Sequence, residues 1–202
     1  MLRITPSDFT NSEDKELARR VLLKLGKTYI EKLYDVPSNN EIVFFAEPMI
    51  ALGFQDELVE FLETVMDKLE DKGGKRNIAY VAGYSYALLL KAGLTEQAND
   101  LLEDAPDHEV RSAGSTPRNV FSDFVRGAAQ VWPQVELSDD VIKRDFALNY
   151  QLVSSCGGAA AGVLSDLRVP WMTEKDSAID TARRKFVAEL RKSCEEQAAV
   201  GK

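Results

Sequence analysis

His108 is the single histidine of this 202-residue chain, and Asp104, Asp107 and Glu109 stand beside it in sequence. Neighbouring carboxylates favour the protonated imidazole, and a histidine tuned near neutrality can serve as a general base. A partner nucleophile would be Cys156, which precedes Gly157-Gly158 and would be acidified if its thiol lay near a helix start. No third residue that would orient the imidazole is marked by the pattern, and cysteine is among the residue types most often buried. A thiol enzyme on Cys156 is therefore only a second alternative. One imidazole beside loop carboxylates is also too few ligands for a metal. His108 is expected to be a solvated loop residue, and the chain to have no catalytic site, no cofactor and no metal.

Gly157 and Gly162 have the spacing of a phosphate-binding loop. Such a loop needs Lys and then Ser or Thr after its last glycine, and Val163-Leu164 stand there instead. Close approach of two helices explains these small residues better.

Charge layout is more informative. The chain holds 25 Lys+Arg and 33 Asp+Glu, a net charge of −8. Residues 41–109 carry 5 basic and 15 acidic side chains, and so account for all of the excess. Glu57, Glu60 and Glu63 lie there at helical spacing and form a candidate acidic docking face. One basic stripe runs over 15–27 (Lys15, Arg19, Arg20, Lys24, Lys27). A second covers 183–192, with Arg183, Arg184 and Lys185 at its start. Like charges at i,i+4 repel unless an acidic surface faces them. The obvious acceptor is the acidic middle third, in the same chain or in a neighbouring copy. A helical coat or nucleic-acid-associated protein using these basic helices is the first alternative. The acidic balance and the absence of interleaved aromatics count against nucleic acid. Trp132 and Trp171, each beside a proline, are candidate interface anchors or core-closing residues.

Composition excludes several classes. With 45% hydrophobic and 29% charged residues, the chain matches soluble globular proteins rather than collagen-like, disulfide-scaffold or disordered ones. Two cysteines without a CxxC pair fit a reducing compartment, although Cys156 and Cys194 can pair if the fold joins them. The start, Met1 to Phe9, lacks the apolar centre of a secretory signal. Asn77–Leu90, uncharged over 14 residues, is shorter than the roughly 20 a membrane span needs. A cytoplasmic protein without membrane contact is expected.

Helical periodicity runs through nearly every long segment, which predicts an all-α bundle of about eight helices. The first helix starts near Thr10-Asn11-Ser12, and Leu17, Val21, Leu25 and Tyr29 step by four along one face. The segment after Asn39-Asn40 reads as a helix or a short strand at Ile42–Phe45, with a break or kink at Pro48. An amphipathic helix with Leu58, Leu62, Val65, Met66 and Leu69 on one face, stopped by Gly73-Gly74, and a shorter one from Thr95 lie on either side of a buried one at 77–92. Residues 106–117 read as a loop between an N-terminal helical region, 1–110, and a C-terminal one, 111–202, packed as one globular unit. Thr116-Pro117 is expected to open the next helix, Ser138 to cap another, and Thr173 and Asp176 to start the last.

One segment repeats. Gly53-Phe-Gln-Asp56-Glu57-Leu58 can be laid on Gly93-Leu-Thr-Glu96-Gln97-Ala98 at an offset of 40 residues, with acid, apolar and glycine classes matching. Each copy is an apolar stretch, a glycine and an acidic amphipathic helix, which makes a helix–turn–helix with a left-handed glycine exit. Over about 79–106, and more loosely 41–72, this resembles the tetratricopeptide-type repeat. Gly93, Ala98, Leu102 and Ala105 stand where that family places its turn glycine and packing residues. Ala82, Ser85 and Tyr86 depart from the pattern, as does the period of 40 against about 34. The resemblance implies binding of a peptide or protein on a helical surface. The expected function is that of a non-enzymatic helical interaction protein: an adaptor, scaffold or structural subunit. It would act through a protein partner or by self-association as a homo-oligomer.

Overall fold

The computed structural model describes residues 9, 11–70, 74–110, 113, 118–146, 156 and 178–200. The fold is all-α. Among the described residues, helices α1 (Ser12–Lys32), α2 (Asn39–Leu52), α3 (Gln55–Glu70), α4 (Lys75–Lys91) and α5 (Thr95–Asp104) follow one another. A two-residue ladder pairs β1 (His108–Glu109) antiparallel with β2 (Arg118–Asn119). Helices α6 (Phe121–Val131), α7 (Asp139–Asp145) and α8 (Ala178–Val200) complete the chain.

The repeated sequence becomes repeated geometry. Gly53 and Gly93 both sit in the left-handed region, at φ 72° and 79°. At the first turn Gly53 N–H donates to Ile50 (3.1 Å) and Phe54 N–H to Met49 (2.8 Å). At the second, Gly93 donates to Leu90 (3.0 Å) and Leu94 to Leu89 (2.9 Å). Both are Schellman caps, which satisfy carbonyls that a helix end otherwise leaves orphaned. Gln55 Nε2 then donates to Ala92 O at 2.8 Å, tying one turn to the other. Ala98 and Ala105 are buried, as the packing positions of the second hairpin require.

Helix α4 is the centre of the molecule, with every residue from Val81 to Leu89 buried. Its tightest neighbour is α6, and two glycines set the distance. A Cβ on Gly83 would lie 2.0 Å from the Phe124 carbonyl oxygen, and one on Gly127 would lie 2.1 Å from that of Tyr80. The two backbones touch, and only hydrogen fits between them. Phe121 stacks on Phe124 on the α6 side, and Tyr86 packs against Phe124 from α4. One hydrophobic cluster runs from Leu22 on α1 through these helices to Val141 and Ile179 on α7 and α8.

Several local expectations change. The row Leu17, Val21, Leu25 and Tyr29 lies on the exposed face of α1, while Leu22, Gly26 and Ile30 face inward. The buried residues also step by four, so the exposed row is the neighbouring ladder, one residue or about 100° round the helix. Gly26 fixes which face is buried, because the Phe61 ring comes within 3.0 Å of its Cβ position. Asn11 caps α1 by accepting from Asp14 N–H. Residues 42–45 are helical, and Ser38 starts α2 in a reciprocal capping box with Glu41. The Ser38 backbone N–H holds the Glu41 carboxyl below its ordinary pKa. Helix α2 continues through Pro48; the carbonyl this proline leaves unpaired belongs to Phe44, which is half exposed. Helix α6 begins at Phe121, whose N–H donates to Asn119 Oδ1, and not at 116–117, because 118–119 pair as β2. His108 is accordingly a half-buried strand residue opposite Asn119. The uncharged run Phe146–Ser165, longer than Asn77–Leu90, falls almost wholly outside the described residues.

Gly83→Ala and Gly127→Ala should each cost about 3 kcal/mol or more, since the helices must part. Gly53→Ala and Gly93→Ala should cost about 1 kcal/mol, because only the left-handed backbone is penalised. Thermal melts of the four variants check this. A Gly83→Ala melting point within about 2 °C of wild type would contradict the backbone contact.

Candidate functional site

The acidic face of α3 divides between two neighbours. Glu57 faces inward and is buried, and its Oε1 accepts from Arg19 Nε at 2.5 Å. Its second oxygen is buried without a hydrogen-bond partner. Glu60 accepts from Lys27 Nζ at 2.8 Å, and that hydrogen bond raises the Lys27 pKa above its ordinary value. Two cations of the first basic stripe therefore find their acceptors within the same chain. Glu57 and Glu60 tie α1 to α3; Glu57 is buried, while Glu60 stays exposed.

Glu63 of α3, one turn on from Glu60, also acts on Lys27 and borders α5. There the two helices frame a groove of about 250 Å³ whose floor is Val59, Leu62, Met66, Leu89 and Leu101. Glu63 and Asp67 from α3 and Asp100 and Asp104 from α5 line its rim, all four exposed. None of these carboxylates has an ion-pair partner among the described residues. On α5, Asp100 and Asp104 are one turn apart, so they share a face.

The second basic stripe loses one member to the interior. Arg183 is buried, and its guanidinium grips Asp145 of α7 through Nε–Oδ2 at 2.5 Å and Nη2–Oδ1 at 2.9 Å. A bidentate pair without solvent is a structural clamp between α7 and α8. Arg184 and Lys185 are exposed, and Lys185 lies 3.9 Å from Glu189 one turn on. Trp132 terminates α6 and packs half-buried against the core, while Trp171 lies outside the described residues. Arg144 is a junction that the sequence did not mark. It donates to Asp107 and to the Leu102 and Ala105 carbonyls at the end of α5, each at 2.5 Å. Its guanidinium also stands 4.1 Å over the Phe121 ring.

Cys156 and Cys194 form a disulfide, with Cα atoms 5.3 Å apart. While paired, Cys156 offers no thiolate for the nucleophile role, and the reading of two free thiols in a reducing compartment loses its footing. No group of three or more His, Cys, Asp or Glu suited to a metal occurs among the described residues. No helix there is long and apolar enough to cross a membrane. Compared with protein-family models, curated proteins and solved structures, the chain finds no match.

Arg183→Ala or Asp145→Ala strands one buried charge and should cost about 3–5 kcal/mol. Replacing both with leucine should cost less than either single change. Denaturant unfolding of the three variants decides; equal, small losses throughout would show that the pair is solvated.

Proposed function

We propose that this chain is a non-enzymatic interaction protein whose groove between α3 and α5 receives a basic amphipathic helix of a protein partner. The observation that carries the reading is the apolar floor ringed by four exposed carboxylates that form no ion pair among the described residues, although Glu63 lies in the field of Lys27. An apolar row on a partner helix removes floor and row together from water. Lysines or arginines beside that row meet the rim, which chiefly raises the association rate and excludes acidic competitors. Recognition of an amphipathic helix by a groove between helices needs no moving part, because two Schellman turns and the α4–α6 contact hold the groove walls. An adaptor, scaffold or structural subunit needs this kind of surface. The proposal holds in a reducing cytoplasm or an oxidising compartment, since no cysteine lines the groove. Burial of Arg183 removes one cation from the stripe that a nucleic acid would have used.

The test is a fluorescence titration with a synthetic helix bearing leucine on one face and lysine on the other, against a glutamate counterpart. The lysine peptide should bind and weaken as salt shortens the Debye length. Glu63→Lys with Asp67→Lys should weaken it about tenfold, near 1.4 kcal/mol. Equal affinity for the two peptides, or no effect of the reversals, contradicts the reading.

A further inference from the structure

We propose that the Cys156–Cys194 disulfide is a redox switch that fastens the outer half of α8 to the molecule and releases it on reduction. The inference is independent of the groove and starts from how unevenly α8 is held. The half from Ala178 to Val187 is anchored three ways. Ala178 N–H donates to Pro133 O at 2.9 Å, Ile179 is buried in the main core, and Arg183 grips Asp145. Val187 is buried in a small second cluster with Ile142 and Phe146, and Phe186 stacks on Phe146 with ring centres 5.4 Å apart.

Beyond Val187 the hold weakens. Among the described side chains from 188 to 200, all are exposed except Leu190 and Cys194. Those two stand one turn apart and rest half-buried against the second cluster. Lys192 and Glu196, 3.9 Å apart in water, add little. Isolated helices shorter than roughly 12–15 residues are marginal in water, so this half needs packing or a cross-link to persist. Packing amounts to one leucine and one cysteine. The bond from Cys194 to Cys156, 38 positions earlier, supplies the cross-link.

The bond is also placed to be opened. Both cysteines are half-buried rather than enclosed, so a small dithiol reaches a sulfur. Cys156 is the one non-glycine residue at positive φ (47°) among the described residues. L residues rarely adopt that backbone, and it persists only where the surroundings impose it. Opening the bond removes the imposition. A thiolate of the dithiol attacks one sulfur, the S–S bond breaks, and the departing cysteine takes a proton. The reagent's second thiolate then attacks its own first sulfur in the mixed disulfide and expels the other cysteine, which is protonated in turn. Two protein thiols and one cyclic oxidised dithiol result. Neither Ile179 nor the Arg183–Asp145 clamp involves a cysteine, so the inner half of α8 stays in place while Leu190 withdraws from the second cluster.

Hydrogen exchange read by mass spectrometry tests the switch on three samples: the oxidised full chain, the chain reduced with dithiothreitol, and Cys156→Ser with Cys194→Ser. Exchange over 188–200 should be about tenfold faster or more in the reduced chain and in the double variant, with 178–187 and 75–91 unchanged. Removing the reagent and adding oxidised glutathione should restore protection in the reduced chain and leave the variant as it was. Equal exchange over 188–200 in both states overturns the proposal, because packing alone then holds that half. Faster exchange that spreads into 178–187 or 75–91 also overturns it, since the bond would then be a staple of a larger part of the fold. So does a bond that survives the dithiol, a loss of protection that reoxidation leaves in place, or a chain purified without reductant that carries two free thiols.

Discussion

The backbone contact between α4 and α6 is the constraint on which the other elements depend. With hydrogen in place of a side chain at Gly83 and Gly127, each helix seats its neighbour's carbonyl where a methyl group would stand. That close approach brings Phe121 and Phe124 over the centre of α4 and makes it a nine-residue buried stretch from Val81 to Leu89. Packing at this density transmits displacement rather than absorbing it. The hairpins α2–α3 and α4–α5 are therefore positioned from a fixed axis. The groove walls inherit their spacing from it, since Leu89 belongs to α4 and also forms the groove floor.

Helix α3 then serves two neighbours. Glu57 and Glu60 hold two cations of α1, and Glu63 and Asp67 line the groove with α5. The molecule separates charge that holds it together from charge that is available to something else. At the C-terminal end Arg183 is withdrawn into a clamp with Asp145, and Lys185 is exposed 3.9 Å from Glu189.

Much of the architecture was legible in residue patterns. The glycine at each hairpin exit, the apolar length of α4 and the cap at Ser138 all follow from local rules that tertiary context did not override. Faces were less legible than elements. A row stepping by four looks like a core stripe, but for α1 it is the outer side, because a glycine with no apolar weight marks the buried one. The acidic trio on α3 was visible as a cluster; that Glu57 turns inward and only Glu63 joins the groove depends on where α1 and α5 pack. Arg183 sat in a run of basic residues, and its partner Asp145 is 38 positions away. A contact of that sequence separation leaves no local signal. Arg144 was missed for the same reason, and Asp100 with Asp104 could have been found from their shared helix face.

Hydrogen exchange of the protein with and without the lysine peptide measures the central claim most directly. Bound peptide should slow exchange in 59–67 and 97–104, the two walls of the groove, and leave α8 unchanged. Protection that appears over 183–192, or none in α3 and α5 at saturating peptide, would contradict the account.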